Sequence, residues 1–122
     1  MKIYLACPYS HKDYSVCEYR VDIADKIAGI LMKAGHVVFS PLSHSHPISK
    51  VLKGVSHLDH NFWLAQDLPI LVEWADKMII VCAPGWTESF GIHIEKVNAD
   101  EFGIPVEHLY WNKIEEMLKE NG

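Results

Sequence analysis

Four short apolar runs recur along this chain: KIYLAC (2–7), HVVFS (36–40), KMIIVCA (77–83) and PVEHLY (105–110). Their lengths suit buried strands, and the segments between them are long enough for helices. Residues 13–34 place Val16, Tyr19, Ile23, Ile27, Ile30 and Ala34 at spacings of three and four, with Gly35 just beyond as a stop. That is the pattern of an amphipathic helix. A second helix is predicted from about Ser89 to Phe102, with Phe90, Ile94 and Val97 on its core face and Gly103 ending it. WNKIEEMLKE (111–120) closes the alternation as a last helix. Parallel neighbours need a crossover and crossovers are right-handed, so strands alternating with helices predict a parallel sheet covered on both faces. The expected fold is α/β: a single-domain flavodoxin-like or Rossmann-like three-layer sandwich with a mainly parallel sheet of four to five strands.

The middle of the chain reads differently. PLSHSHPISKVLKG, following the second strand, is rich in Pro, Ser and His and is predicted as a loop. Ser56 followed by Asp59 resembles a capping box that opens a helix through about Asp67, with Pro69 bending or restarting it before Trp74. No repeat, low-complexity tract or linker divides the chain, so 1–122 is expected to be one domain. A chain of 122 residues is long enough for one core.

Charge narrows the partners. The net charge is −5 and the basic residues number 11, of which one is an arginine, Arg20. No basic stripe is present to track a phosphate backbone, which argues against long nucleic acids. A small ligand with one phosphate stays open, because amides at a helix start hold an anion without arginine. No apolar run approaches the ~18 residues of a membrane span, and MKIYLACPYSHKD does not have the form of a signal peptide. A cytoplasmic protein is expected. Cys7, Cys17 and Cys82 are odd in number and lack metal-type spacing, which fits free thiols. Cys7 ends the first strand as a phosphatase nucleophile would, but Asp13 stands where that chemistry needs an arginine.

In an open parallel sheet, ligands bind beyond the carboxyl ends of the strands. Tyr9 and Ser10 follow the first strand, the His-rich segment the second, and PGWTES the third, so all are expected at one cleft. In GWTESFGIHIE (85–95), Ser89 is a natural N-cap whose following amides suit a phosphate or hydroxyl oxygen. Gly91 lies one turn before Glu95, and its missing side chain leaves room for a ligand to reach the carboxylate. The plainer alternative is a capped helix with a solvated glutamate. Tyr9, Trp63 and Trp86 are candidates to stack on a base, and Trp63 shares a helix face with Asp67. Core or rim packing is the competing role for each. Among the histidines, His44, His46, His57 and His60 raise the question of a metal, but no cysteine or carboxylate pattern completes a site. Hydrogen bonding at the cleft rim, by His46 in particular, is the better expectation, and no metal or cofactor is predicted.

IYLACPYS and ADKMIIVCAPGWTESFGIHIEKVNADEFGIPV, with its S-x-G-x-x-x-E helix start, resemble the nucleoside 2-deoxyribosyltransferase family, including its relatives the 2'-deoxynucleoside 5'-monophosphate N-glycosidases. The likeness spans roughly residues 1–107 and is nearest to short family members of undefined activity. It implies Glu95 as a nucleophile at the sugar's C1', Tyr4 as the tyrosine that orients it, and Asp67 as the acid that protonates the leaving base. It implies Ser89 as a phosphate contact, although Ser10 stands where the monophosphate hydrolases carry an arginine. A homo-oligomer, dimer or tetramer, is likewise an implication of the resemblance, as is a small nucleoside or nucleotide as the partner. Hydrolase and transferase stay equally open. An NAD-type glycohydrolase and a non-catalytic nucleotide sensor on the same fold are the alternatives.

Overall fold

The structure, a computed structural model, describes residues 1–121, and of residue 121 only the backbone. Its strands are β1 (Lys2–Ala6), β2 (Val37–Phe39), β3 (Lys77–Cys82) and β4 (Val106–Tyr110). They form one sheet in the order β2-β1-β3-β4, with every pairing parallel. The helices are α1 (Tyr14–Lys33), α2 (Pro41–Val51), α3 (His60–Trp74), α4 (Phe90–Glu101) and α5 (Trp111–Asn121). This is the flavodoxin-like α/β sandwich that the alternation predicts.

Successive side chains of a strand point to opposite faces, and in β1 both faces are covered. Ile3 and Leu5 pack with Ile79 and Val81 of β3 against Ile23 and Ile27 of α1 and Ile114 of α5. Tyr4 and Ala6 face the other way, with Met78 and Ile80, onto Leu71 of α3 and onto Ile92 and Ala99 of α4. The chain leaves β1 toward β2 on one side and joins β3 on the other, so the crevice between β1 and β3 is where strand order reverses. Tyr4 is thereby fixed on the face shared by α3 and α4.

Three expectations about local structure are corrected. The Pro/Ser/His-rich stretch is a helix, α2, not a loop: Ser40 caps it by accepting from Ser43 N at 3.4 Å, and Pro41 occupies the first turn, where its missing N–H costs nothing. Pro47 lies inside α2 on its exposed side, where the helix runs on without its N–H. α3 is capped by Asp59, which accepts from Phe62 N at 3.2 Å, and runs through Pro69 to Trp74; Ser56 instead caps the preceding turn. In α4 the buried residues are Ile92, Glu95 and Ala99, while Phe90 and Val97 are 49% and 48% exposed. Of the stripe read as the core face, Phe90 and Val97 therefore point outward, while Ile94 is half-buried.

Arg20, on α1 and 9% exposed, ties the two sides of the crevice together. Its Nη1 donates to the carbonyls of Ser10 at 3.0 Å and Tyr9 at 3.3 Å, beyond β1, and its Nη2 to that of Pro84 at 3.1 Å, beyond β3. Gly85 follows with φ of +88°, where a Cβ would stand 2.5 Å from Arg20 Nη2. Left-handed backbone and close approach both require glycine there. Gly85→Ala is expected to destabilise the protein by about 1–3 kcal/mol, read as a lower midpoint in chemical denaturation. An unchanged midpoint would contradict this role for the Arg20–Gly85 contact.

Candidate active site

The cleft above the β1–β3 crevice has a floor of buried carboxyl groups. Glu95 is 6% exposed because α4 turns it inward with Ile92 and Ala99. Tyr4, fully buried on β1, donates its phenolic proton to Glu95 Oε2. Its ring packs against Phe39, centroids 5.9 Å apart. Asp67 of α3 is 6% exposed and lines the same cleft, and its Oδ1 is buried without a hydrogen-bond partner.

Burial governs the protonation of all three. The Tyr4 phenol is raised well above its ordinary value by burial and by the neighbouring carboxyls, so it remains a donor. Burial pushes Glu95 up to about 8, against the hydrogen bond from Tyr4, with Asp67 raising it further. Burial also pushes Asp67 up to about 7. Two such carboxyls share their charge, since ionising one resists ionising the other. The two values therefore belong to the pair, whose first proton leaves near neutral pH; taken alone they would ionise Asp67 first, but the hydrogen bond from Tyr4 favours that charge on Glu95, and the donor-free Asp67 Oδ1 can keep the remaining proton. Two carboxyl groups of like chemistry are thus set in different surroundings.

The remaining residues are placed around this floor. Ser89 caps α4, accepting from Ile92 N at 3.2 Å, and lines the cleft with Gly91. A Cβ on Gly91 would meet only Ser89 Oγ, at 3.9 Å, so the protein's own packing does not demand glycine there. Ser10 lies at the exposed rim. Trp63 lines the cleft from α3, its Nε1 donating to Ser56 O at 3.0 Å. Tyr9 and His46 also line it, joined Oη to Nδ1 at 2.8 Å. Trp86 does not: it packs on the Tyr4 side of the core, edge-on to His108 at 5.5 Å, which removes it as a base-stacking residue.

Sequence reasoning missed two contributions. Ser45 and Ser49 of α2 line the cleft beside His46, and the signal for that helix was the Ser40–Pro41 start. Arg20, the lone arginine, holds the loops that carry Tyr9, Ser10 and Gly85. Among the described residues, no group of three or more His, Cys, Asp or Glu side chains is placed to hold a metal ion, and no helix is long and apolar enough to cross a membrane.

Residues 1–111 match the family described as Domain of unknown function (DUF1937), and the chain belongs to that family. No protein of curated function matches the sequence. In structure the chain is similar to the 2-deoxyribosyltransferase of the psychrotolerant bacterium Bacillus psychrosaccharolyticus, with a TM-score of 0.64 and 25% sequence identity over 88% of this chain and 71% of that one.

A buried carboxyl that holds its proton more tightly when folded contributes stability that is complete below its ordinary value of 4.5 and is lost as pH rises through about 8. Glu95→Gln keeps an acceptor for Tyr4 and removes that loss. The variant is therefore expected to gain several degrees of melting temperature over the wild type at about pH 9 and little at about pH 5. An equal difference at both pH values would contradict the burial of a titrating Glu95.

Proposed function

We propose that this DUF1937 protein is an enzyme that cleaves or exchanges the N-glycosidic bond of a nucleoside-type substrate through Glu95. The observation that carries the reading is the buried Tyr4–Glu95 hydrogen bond opening on a cleft that also holds the unpartnered Asp67 oxygen. The similarity to a 2-deoxyribosyltransferase agrees with it, though a shared fold alone does not assign chemistry.

In this reading a Glu95 oxygen attacks C1' of the sugar as the C1'–N bond breaks. The bonding pair leaves with the base, and the proton of Asp67 moves to a base nitrogen. A glycosyl ester on Glu95 results, with Asp67 now ionised. Carboxylates suit the role because they stabilise an oxocarbenium-like transition state and form an ester that a second acceptor displaces. Water or a second base then attacks C1', Asp67 takes the acceptor's proton, and Glu95 is released as a carboxylate. Tyr4 holds the carboxylate in line through its O–H, and that hydrogen bond weakens as the charge on Glu95 passes into the new bond to C1'. Gly91 leaves space for the sugar beside Glu95.

The test is chromatography of nucleosides, their 5'-monophosphates and NAD after incubation, with and without a free acceptor base. Wild-type protein is expected to release base, and Glu95→Ala to lose this by a factor on the order of a thousand or more. Tight binding with no turnover under any condition would instead make the protein a nucleotide sensor. Asp67→Asn is expected to slow release by about 10²–10⁴, with much of the loss absent for a substrate whose base is already cationic. An equal loss for both substrates would exclude Asp67 as the proton donor.

The active form carries one proton on the carboxyl pair. Below about 7 both groups are protonated and the nucleophile is lost, whereas above about 8 both are ionised and the acid is lost. kcat/KM is therefore expected to peak between about pH 7 and about pH 8. A rate still rising at pH values well above this range would contradict the assignment. Gly91→Ala is expected to retain or raise stability, since Ala is the better helix former by about 0.5–1 kcal/mol, while weakening substrate binding. Unaltered KM and kcat in that variant would show that the sugar does not approach this turn.

A further inference from the structure

The connection between α2 and α3, residues 52–59, lies along the cleft. His57 and Leu58 of this connection line the cleft, together with His60, Trp63 and Leu64 from the first turns of α3. None of the five belongs to either hydrophobic cluster of the core, which α3 joins only from Leu68 onward.

The hydrogen bonds of this segment close on themselves. Ser56 O accepts from Asp59 N at 3.1 Å and from Trp63 Nε1 at 3.0 Å, and Ser56 Oγ accepts from Leu58 N at 3.0 Å. Asp59 caps α3 through Phe62 N at 3.2 Å. Among the described residues, no hydrogen bond or ion pair joins residues 55–64 to α1, α4 or the sheet. Rings make the contacts to the walls instead. His57 stands edge-on to Tyr14 and Tyr9, with centroids 5.2 and 6.0 Å away, and His60 meets Phe90 at the head of α4 at 5.0 Å. On the first of these walls Tyr9 Oη is bonded to His46 Nδ1 at 2.8 Å, and Tyr14 Oη lies 3.5 Å from His46 Nε2. A unit bonded firmly within itself thus rests on the two walls through aromatic contacts, without a hydrogen bond to either.

Both ends of the unit are soft. Gly54 has a φ of +81°, and a Cβ built there would meet nothing within 4 Å, so packing does not restrain that turn. At the other end Pro69 lacks the N–H that would bond the Ala65 carbonyl, so one backbone bond is missing between the head of α3 and the part in the core.

We propose that residues 55–64 form a lid on the Glu95 cleft, latched by His57 on one wall and by His60 on the other, which swings at Gly54 and Pro69 to admit a small molecule. The lid is independent of the chemistry done at Glu95. Opening breaks aromatic contacts but no hydrogen bond to the walls, which places it among the low-cost local motions of a fold. Trp63 travels with the lid, because its indole is bonded to Ser56.

The experiment is a pulsed EPR distance measurement between spin labels on Asn61→Cys, exposed on the lid, and Tyr19→Cys, exposed on α1. Cys7, Cys17 and Cys82 are buried and stay unlabelled. The expected distribution has a main short distance and a minor longer one. His57→Ala and Phe90→Ala are each expected to raise the ratio of long to short by about threefold to tenfold, and the double variant to raise it further. Pro69→Ala returns the missing backbone bond and is expected to lower that ratio. One distance, the same in every variant, would overturn the lid, and a higher ratio in Pro69→Ala would overturn the pivot at Pro69. A single distance alongside Glu95-dependent base release would overturn the lid and leave the proposed function standing. Two distances that respond as described, with no base release from any substrate, would support the lid and overturn the proposed function.

Discussion

A carboxyl group buried between a sheet and a helix is costly to keep, and the hydrogen bond from Tyr4 to Glu95 is what this fold offers in return. That bond requires β1 to be covered on both faces, because only then does an even-numbered residue of the strand reach α4 from inside the core. It also requires α4 to turn Ile92, Glu95 and Ala99 inward and leave Phe90 and Val97 outside. A helix placed for stability alone would turn its larger apolar residues to the sheet. Here the register of the helix serves a polar group, and local stability yields to it, as is common where chemistry is done.

Around that bond the loops are organised by neutral and carbonyl contacts. Arg20 spends its donors on backbone carbonyls from both sides of the crevice, which holds the ends of β1 and β3 in one geometry. His46 does the equivalent on the other wall, where two phenols converge on one imidazole. The sole arginine and a buried histidine thus act as fixtures. Negative charge is left to the carboxyl pair, where burial makes it most responsive to a bound molecule.

Much of the fold was legible because its strands are short apolar runs separated by helical periodicity, and the sheet follows from the alternation. α2 was hidden by its composition. Pro, Ser and His signal a loop when read singly, yet Ser40 followed by Pro41 is a helix start, and Pro47 is tolerated because it faces water. The core face of α4 was misread because periodicity ranks Phe90 and Val97 above a glutamate; only the tertiary partner Tyr4 makes position 95 an inward one. Glu95, Asp67 and Tyr4 come from three distant segments, and no spacing rule connects them, so the resemblance to the deoxyribosyltransferase family was what grouped them. Trp86 looked suited to a base by sequence position and instead lies half-buried against the edge of the core beside His108. The His46–Tyr9 pairing, 37 residues apart, was not readable before α2 was placed.

The most direct measurement is mass spectrometry of protein quenched during turnover of a nucleoside, with the peptide between Lys77 and Lys96 sequenced. A pentose-derived mass carried on Glu95, appearing as base is released and disappearing when acceptor is added, is the predicted result. Base release with that peptide unmodified throughout, or with the sugar on another side chain, would contradict it.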